Sequence, residues 1–142
     1  MRRKKIKFSN QCQDVPVIKL TLGNGKDIYA LVDTGSESTI IDKTTIKENK
    51  DLFHIIRKRE KTSFIGVAGN TEVPIVEAST TVTISGESLN LNGIVMDLSH
   101  ITKDSESIKL SVILGCHLLE ELEAKLDFKN KSIMLNNDLS SQ

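Results

Sequence analysis

A mainly β domain carrying one or two short helices is the fold class that the sequence predicts, and three observations predict it. Hydrophobic and polar residues alternate with a period of two in several short runs, Val17 to Leu22 being the clearest. Turn residues separate those runs: Gly23-Asn24-Gly25, Gly66 to Gly69, and Ser85-Gly86. Helical signals are confined to two places, one after Asp42 and one after Gly115. At 142 residues the chain is one domain's worth, long enough to bury a core without disulfides or metals. The expected organisation is a polar basic leader over residues 1–14, a folded domain over 15–135 and a polar tail over 136–142.

In order, the first strand spans Val15 to Leu22, with Pro16 acceptable only near its start or on an edge. After the glycine turn, Asp27 to Val32 returns and runs straight into Asp33; Ser38 to Ile41 then leaves as a third strand. A short helix from Asp42 to about Asn49 follows, since the Asp42 carboxylate can cap the free amides of Thr44 and Thr45. Residues 57–77 read as a long hairpin projecting from the body, with Gly66 and Gly69 bracketing its turn. Thr80 to Ile84 and Leu89 to Met96 form another hairpin about Gly86. Residues 97–109, rich in Ser, Asp, Lys and Thr, read as a surface loop. Strand Leu110 to Leu114, a helix from Cys116 to about Lys125 and a tight hairpin ending at Leu135 complete the domain. Leu118, Leu119 and Leu122 share one helical face and belong to the core.

Composition excludes several classes. Nineteen basic and nineteen acidic residues cancel, so no long-range field favours nucleic acid or an anionic membrane. The run Arg2-Arg3-Lys4-Lys5 is the local exception and reads as a solvated terminus. No apolar run follows it, so neither a signal peptide nor a spanning helix is expected, and the expected location is cytoplasmic. Cys12 and Cys116 fit no zinc or redox spacing, and His54, His100 and His117 are scattered; no metal and no cofactor are expected. The absence of Trp and the scarcity of other aromatics argue against base-stacking platforms.

The chemistry gathers at Ala30-Leu31-Val32-Asp33-Thr34-Gly35-Ser36. A hydrophobic strand delivers one carboxylate to a sharp loop, where burial is costly unless something shares its proton or hydrogen-bonds it. Later come a glycine-rich turn, Phe64-Ile65-Gly66-Val67-Ala68-Gly69-Asn70, and a second apolar strand ending in glycine, Ser111-Val112-Ile113-Leu114-Gly115. Together these three stretches resemble the retropepsin-like aspartic proteases, in that family's order, over roughly residues 15–135.

The resemblance implies a closed β-barrel or sandwich acting as a homodimer, with the 57–77 hairpin as a flap over a peptide substrate. It implies a water held between two carboxylates about 3 Å apart that share one proton, so that activity follows a bell in pH. The chain holds a single Asp-Thr-Gly; Asp97 and Asp127 lack the hydroxyl and glycine that build such a loop. The second carboxylate is therefore expected from a symmetry mate's Asp33. Catalytic roles fall to Asp33, to Thr34 reaching across the two-fold axis, and to Gly35, whose missing side chain admits the substrate backbone. Substrate-binding roles fall to Ser36, Ile65, Gly66, Val67, Ala68, Gly69 and Ile113, with Leu31 a further pocket candidate; Ser36 is either a ligand of the outer Asp33 oxygen or a simple turn residue. Strand Ser132 to Leu135 is expected to join its mate in a dimer sheet. Gly66-Val67-Ala68-Gly69 is less glycine-rich than a viral flap tip and the chain is longer, which is more like a stand-alone cellular or bacterial member. Two other readings compete: a dimerisation or peptide-binding module that cleaves little or nothing, and a small nucleic-acid binder using Arg57-Lys58-Arg59 and the leader.

Overall fold

The computed structural model of the protein describes residues 3–9, 15–62, 71–101 and 108–136, with the backbone alone for 58–62 and 71–74. Its strands are β1 (Arg3–Lys7), β2 (Val17–Leu22), β3 (Asp27–Val32), β4 (Ile40–Asp42), β5 (His54–Thr62), β6 (Thr71–Ile84), β7 (Glu87–Met96), β8 (Leu110–Leu114), β9 (Lys125–Asp127) and β10 (Ser132–Asn136). Helix α1 (Lys43–Glu48) follows β4 and helix α2 (Cys116–Glu121) follows β8. Neither is long or apolar enough to cross a membrane.

Six strands close a ring in the order β2, β3, β8, β4, β7, β6, and the pairs Thr21 with Thr83 and Leu22 with Val82 join its ends. Closure removes sheet edges, and the alternation seen in the sequence then has a meaning. Ile18, Leu20 and Leu22 point into the barrel while Lys19 faces water. Val112 and Leu114 of β8 meet them from across the interior. A smaller cluster of Val17, Ile108 and Leu110, with Tyr29 and Leu31 against it, lies apart from that core. β8 is buried along its whole length, which explains why four of its five residues are apolar and why even Ser111 is covered.

Asp42 caps α1 as its position predicts: Oδ2 accepts from the Thr45 amide at 3.4 Å. Its other oxygen accepts from the Leu98 amide at 3.0 Å, and Lys109 Nζ lies 3.9 Å from Oδ2. A carboxylate this deeply covered, only 1% exposed, persists because each oxygen is engaged. The same bonds tether both ends of the polar 97–109 loop to one side chain.

Three expectations need correction. Residues 71–84 are one continuous strand, where the sequence reading divides them between two hairpins. Arg3–Lys7 is a strand instead of a solvated terminus, antiparallel to β10 with Ile6 opposite Ile133. That pairing also alters the expectation for the C-terminal strand. β10 is the centre of a three-stranded sheet, β1-β10-β9, so both of its edges are already paired within the protomer. The alternation that betrays β1 is a single buried Ile6 among exposed cations, and its partner lies at the other end of the chain.

Candidate active site

β3 and β8 run parallel, with Leu31 opposite Ile113 and Val32 opposite Leu114, so both strands finish at the same level. β4 lies on the other side of β8, antiparallel, with Ile40 opposite Ile113. The connection from β3 to β4, residues 33–39, must therefore arch over the end of β8. There it meets the turn from β8 into α2. Four hydrogen bonds join the two segments: Asp33 N donates to Leu114 O (3.0 Å), Gly115 N to Thr39 Oγ1 (3.1 Å), Cys116 N to Ser36 O (2.6 Å) and His117 N to Glu37 O (3.2 Å). These bonds take up the amides that open α2, which has no side-chain cap of its own.

The crossing leaves no space for side chains. A Cβ on Gly115 would collide with the backbone of Ser38 and Thr39, and one on Gly93 of β7 would come within 2.9 Å of the Thr39 carbonyl oxygen and of Ile41. The Ile94 amide donates to that same carbonyl at 2.9 Å. Sequence reasoning identifies Gly115 as the residue that lets the chain turn closely. It misses Gly93 and Thr39, because a glycine inside a strand and a threonine before one are locally unremarkable.

Asp33 is half-buried at the rim of this junction. Its Oδ1 accepts from the Gly35 amide at 2.9 Å, and its carbonyl accepts from Ser36 N at 3.2 Å. One carboxylate oxygen is thus held by the loop itself, and among the described residues Oδ2 has no hydrogen-bond partner. Thr34 and Gly35 are exposed at the tip. A Cβ at Gly35 would stand 3.2 Å from Asp33 Oδ1, so glycine here spares the carboxylate a close neighbour. The Ser36 hydroxyl donates to the Ser38 carbonyl at 2.7 Å, which is the turn-serine alternative in this protomer.

Of the apolar candidates, Ile113 is 5% exposed, in register between Leu31 and Ile40, and Leu31 is half-buried in the side cluster. Ile65, Gly66, Val67, Ala68 and Gly69 lie outside the described residues. The arm that leads to them is described: β5 pairs with β6 from His54 opposite Ser79 to Thr62 opposite Thr71. Where its side chains are described, β5 is exposed on both faces, Ile55 and Ile56 included.

A thiol mechanism has no support here. Cys116 Sγ donates to Glu120 at 3.3 Å, and that bond, partial burial and the charges of Glu120 and Glu37 raise its pKa. The thiolate that a nucleophile requires is disfavoured.

The family model of retroviral aspartyl proteases matches residues 12–127. Among solved structures, the retropepsin-like aspartic protease from Rickettsia conorii superposes with a TM-score of 0.54 at 19% identity, covering 95% of this chain and 90% of that one. The retroviral protease-like domain of Ddi1 from Leishmania major gives a TM-score of 0.54 at 15% identity, over 87% of this chain and 89% of that one. At these identities the likeness is one of fold. A comparison with curated proteins gives no match.

Proposed function

The chain belongs to the retroviral aspartyl protease family, and from that premise we propose that it is an aspartic endopeptidase whose active site forms where two copies bring their Asp33 residues together. The observation that carries this reading is the support of Asp33: a strand-end carboxylate with one oxygen held by the Gly35 amide and its own amide held by Leu114. A rigid mount of this kind is what a reacting group needs and what an ordinary surface turn lacks. The exposure of Thr34 and Gly35 agrees with it, since both are free to meet a second copy and a substrate.

The chemistry follows from two carboxylates sharing one proton. The ionised member removes a proton from the water between them as its oxygen attacks the scissile carbonyl carbon. The protonated member donates its hydrogen bond to the carbonyl oxygen and stabilises the charge that develops there. Collapse of the tetrahedral diol breaks the C–N bond, the amine leaves with a proton from the pair, and the dyad returns to its singly protonated state. Thr34 braces the partner loop across the axis. Peptide binds as an extended strand, with Ile113 and Leu31 among the apolar surroundings of its side chains.

Asp33→Asn tests this. The variant folds and self-associates as the wild type does, while cleavage of a peptide library between about pH 4 and 7 falls by at least about a thousandfold. Equal cleavage by the variant refutes the mechanism. A wild-type dimer that binds peptides without cutting them instead supports the reading as a peptide-binding module.

A further inference from the structure

Four bonds hold the catalytic loop against the start of α2, and three of them, Asp33 N to Leu114 O, Cys116 N to Ser36 O and His117 N to Glu37 O, run from backbone to backbone. The fourth, Gly115 N to Thr39 Oγ1 at 3.1 Å, is the one made by a side chain. We infer that Thr39 is a positioning residue for the hydrolytic reaction: its hydroxyl oxygen sets the height of the 33–39 arch over the end of β8, and so where the Asp33 carboxylate stands. The inference rests on the reading of Asp33 as catalytic.

Thr39 has the surroundings that such a role needs. It is 6% exposed, so an amide that loses its acceptor there is left largely covered. Its carbonyl oxygen is fixed from the other side by the Ile94 amide at 2.9 Å. Both elements that cross it do so at glycines, Gly93 and Gly115, where any Cβ would press on the Ser38–Thr39 backbone. Backbone this closely bracketed has one place to sit. Carbonyl and hydroxyl together then make Thr39 a link between β7 and the turn into α2, while Asp33 hangs from the neighbouring Leu114 carbonyl. Val fills the volume of Thr but accepts no hydrogen bond, so Thr39→Val strands the Gly115 amide, which belongs to the same peptide group as the Leu114 carbonyl that holds Asp33. Ser keeps the acceptor. A displacement on the order of 1 Å at a reacting group costs about a hundredfold in rate without greatly altering affinity.

The experiment compares wild type, Thr39→Val and Thr39→Ser in the full chain, with two readouts. Hydrogen exchange at the Gly115 amide reports the bond directly and needs no activity. Steady-state cleavage of a fixed peptide, corrected for the folded fraction, reports its consequence. The expected result is exchange at least about tenfold faster in Thr39→Val, kcat lowered by about ten- to a hundredfold with KM within about twofold, and recovery of both in Thr39→Ser. If Thr39→Val does not fold, Thr39→Ala deletes the same acceptor without crowding and is read in the same way. Unchanged Gly115 exchange, an unchanged kcat, or a Thr39→Ser variant as impaired as Thr39→Val would each overturn the inference. A wild type with a protected Gly115 amide and no cleavage would overturn the reading of Asp33, and the inference with it.

Discussion

The junction between residues 33–39 and 114–117 and the arm formed by β5 with β6 follow opposite designs. At the junction, two segments far apart in sequence meet through four hydrogen bonds, with Gly115 where a Cβ would strike the opposing backbone. In the arm, one strand pairs with its sequence neighbour, and β5 has no second partner strand among the described residues. The junction derives its order from the whole barrel, because β3, β4 and β8 must all be in place before it exists. The arm needs only its own ladder. The protease proposed above would use the first design to hold its reacting oxygens in place and the second where substrate enters and leaves.

The largest effect that would break this comparison belongs to Gly115→Ala. The added methyl group meets backbone, which has no rotamer to change, so a loss of about 3 kcal/mol in unfolding free energy is expected, together with loss of cleavage; urea titration measures it. A variant with wild-type stability would mean that the arch has slack. The arm predicts the reverse. Ile56 is 41% exposed, and Ile56→Thr, also β-branched, is expected to shift the unfolding free energy by no more than about 0.5 kcal/mol in the same titration. A loss well above 1 kcal/mol would show that the arm is packed against something and is not the open element described here.

The smallest effect comes from the turn between β9 and β10 and calibrates the other two. Hydrogen bonds from the Asn130 amide at 3.0 Å and its side chain at 2.7 Å lower the pKa of Asp127. A carboxyl whose folded pKa lies below its unfolded value stabilises the fold above the unfolded pKa, and that contribution fades as pH falls through the folded one. Asp127→Ala is therefore expected to be slightly less stable than wild type near neutrality, with the difference vanishing as pH falls below about pH 4, so that its stability depends slightly less on pH. Thermal unfolding across that range reads it, and an unchanged acid limb would mean that the turn frays in solution.

What was legible in the sequence follows the same division. Local patterns carried β2, β3, β8, the Asp42 cap and the Asp33 loop, because alternation, capping and turn chemistry are short-range. The 33–39 arch was legible only as a motif. Its mount depends on a parallel pairing between β3 and β8, and nothing in either strand names the other. β1 was illegible for a related reason: Arg3-Lys4-Lys5-Ile6-Lys7 becomes a strand because β10 offers it an edge and Ile133 a contact for Ile6. Thr39 and Gly93 carry no local signal at all, since their roles appear only where three elements cross. Ser36 shows the limit from the other side, a residue whose place in the motif was clear while its hydroxyl bond had to be seen.

The parallel alignment of β3 with β8 also has a consequence in time. The ribosome makes Asp33 before the strand that braces it, and non-local parallel pairings are slow to form. Until Gly115 has emerged and the barrel has shut, the nascent polypeptide holds its acidic group on an unbraced loop. On the reading of Asp33 as catalytic, the reacting group thus gains its mount only after β8 has joined the sheet, and chemistry waits on topology.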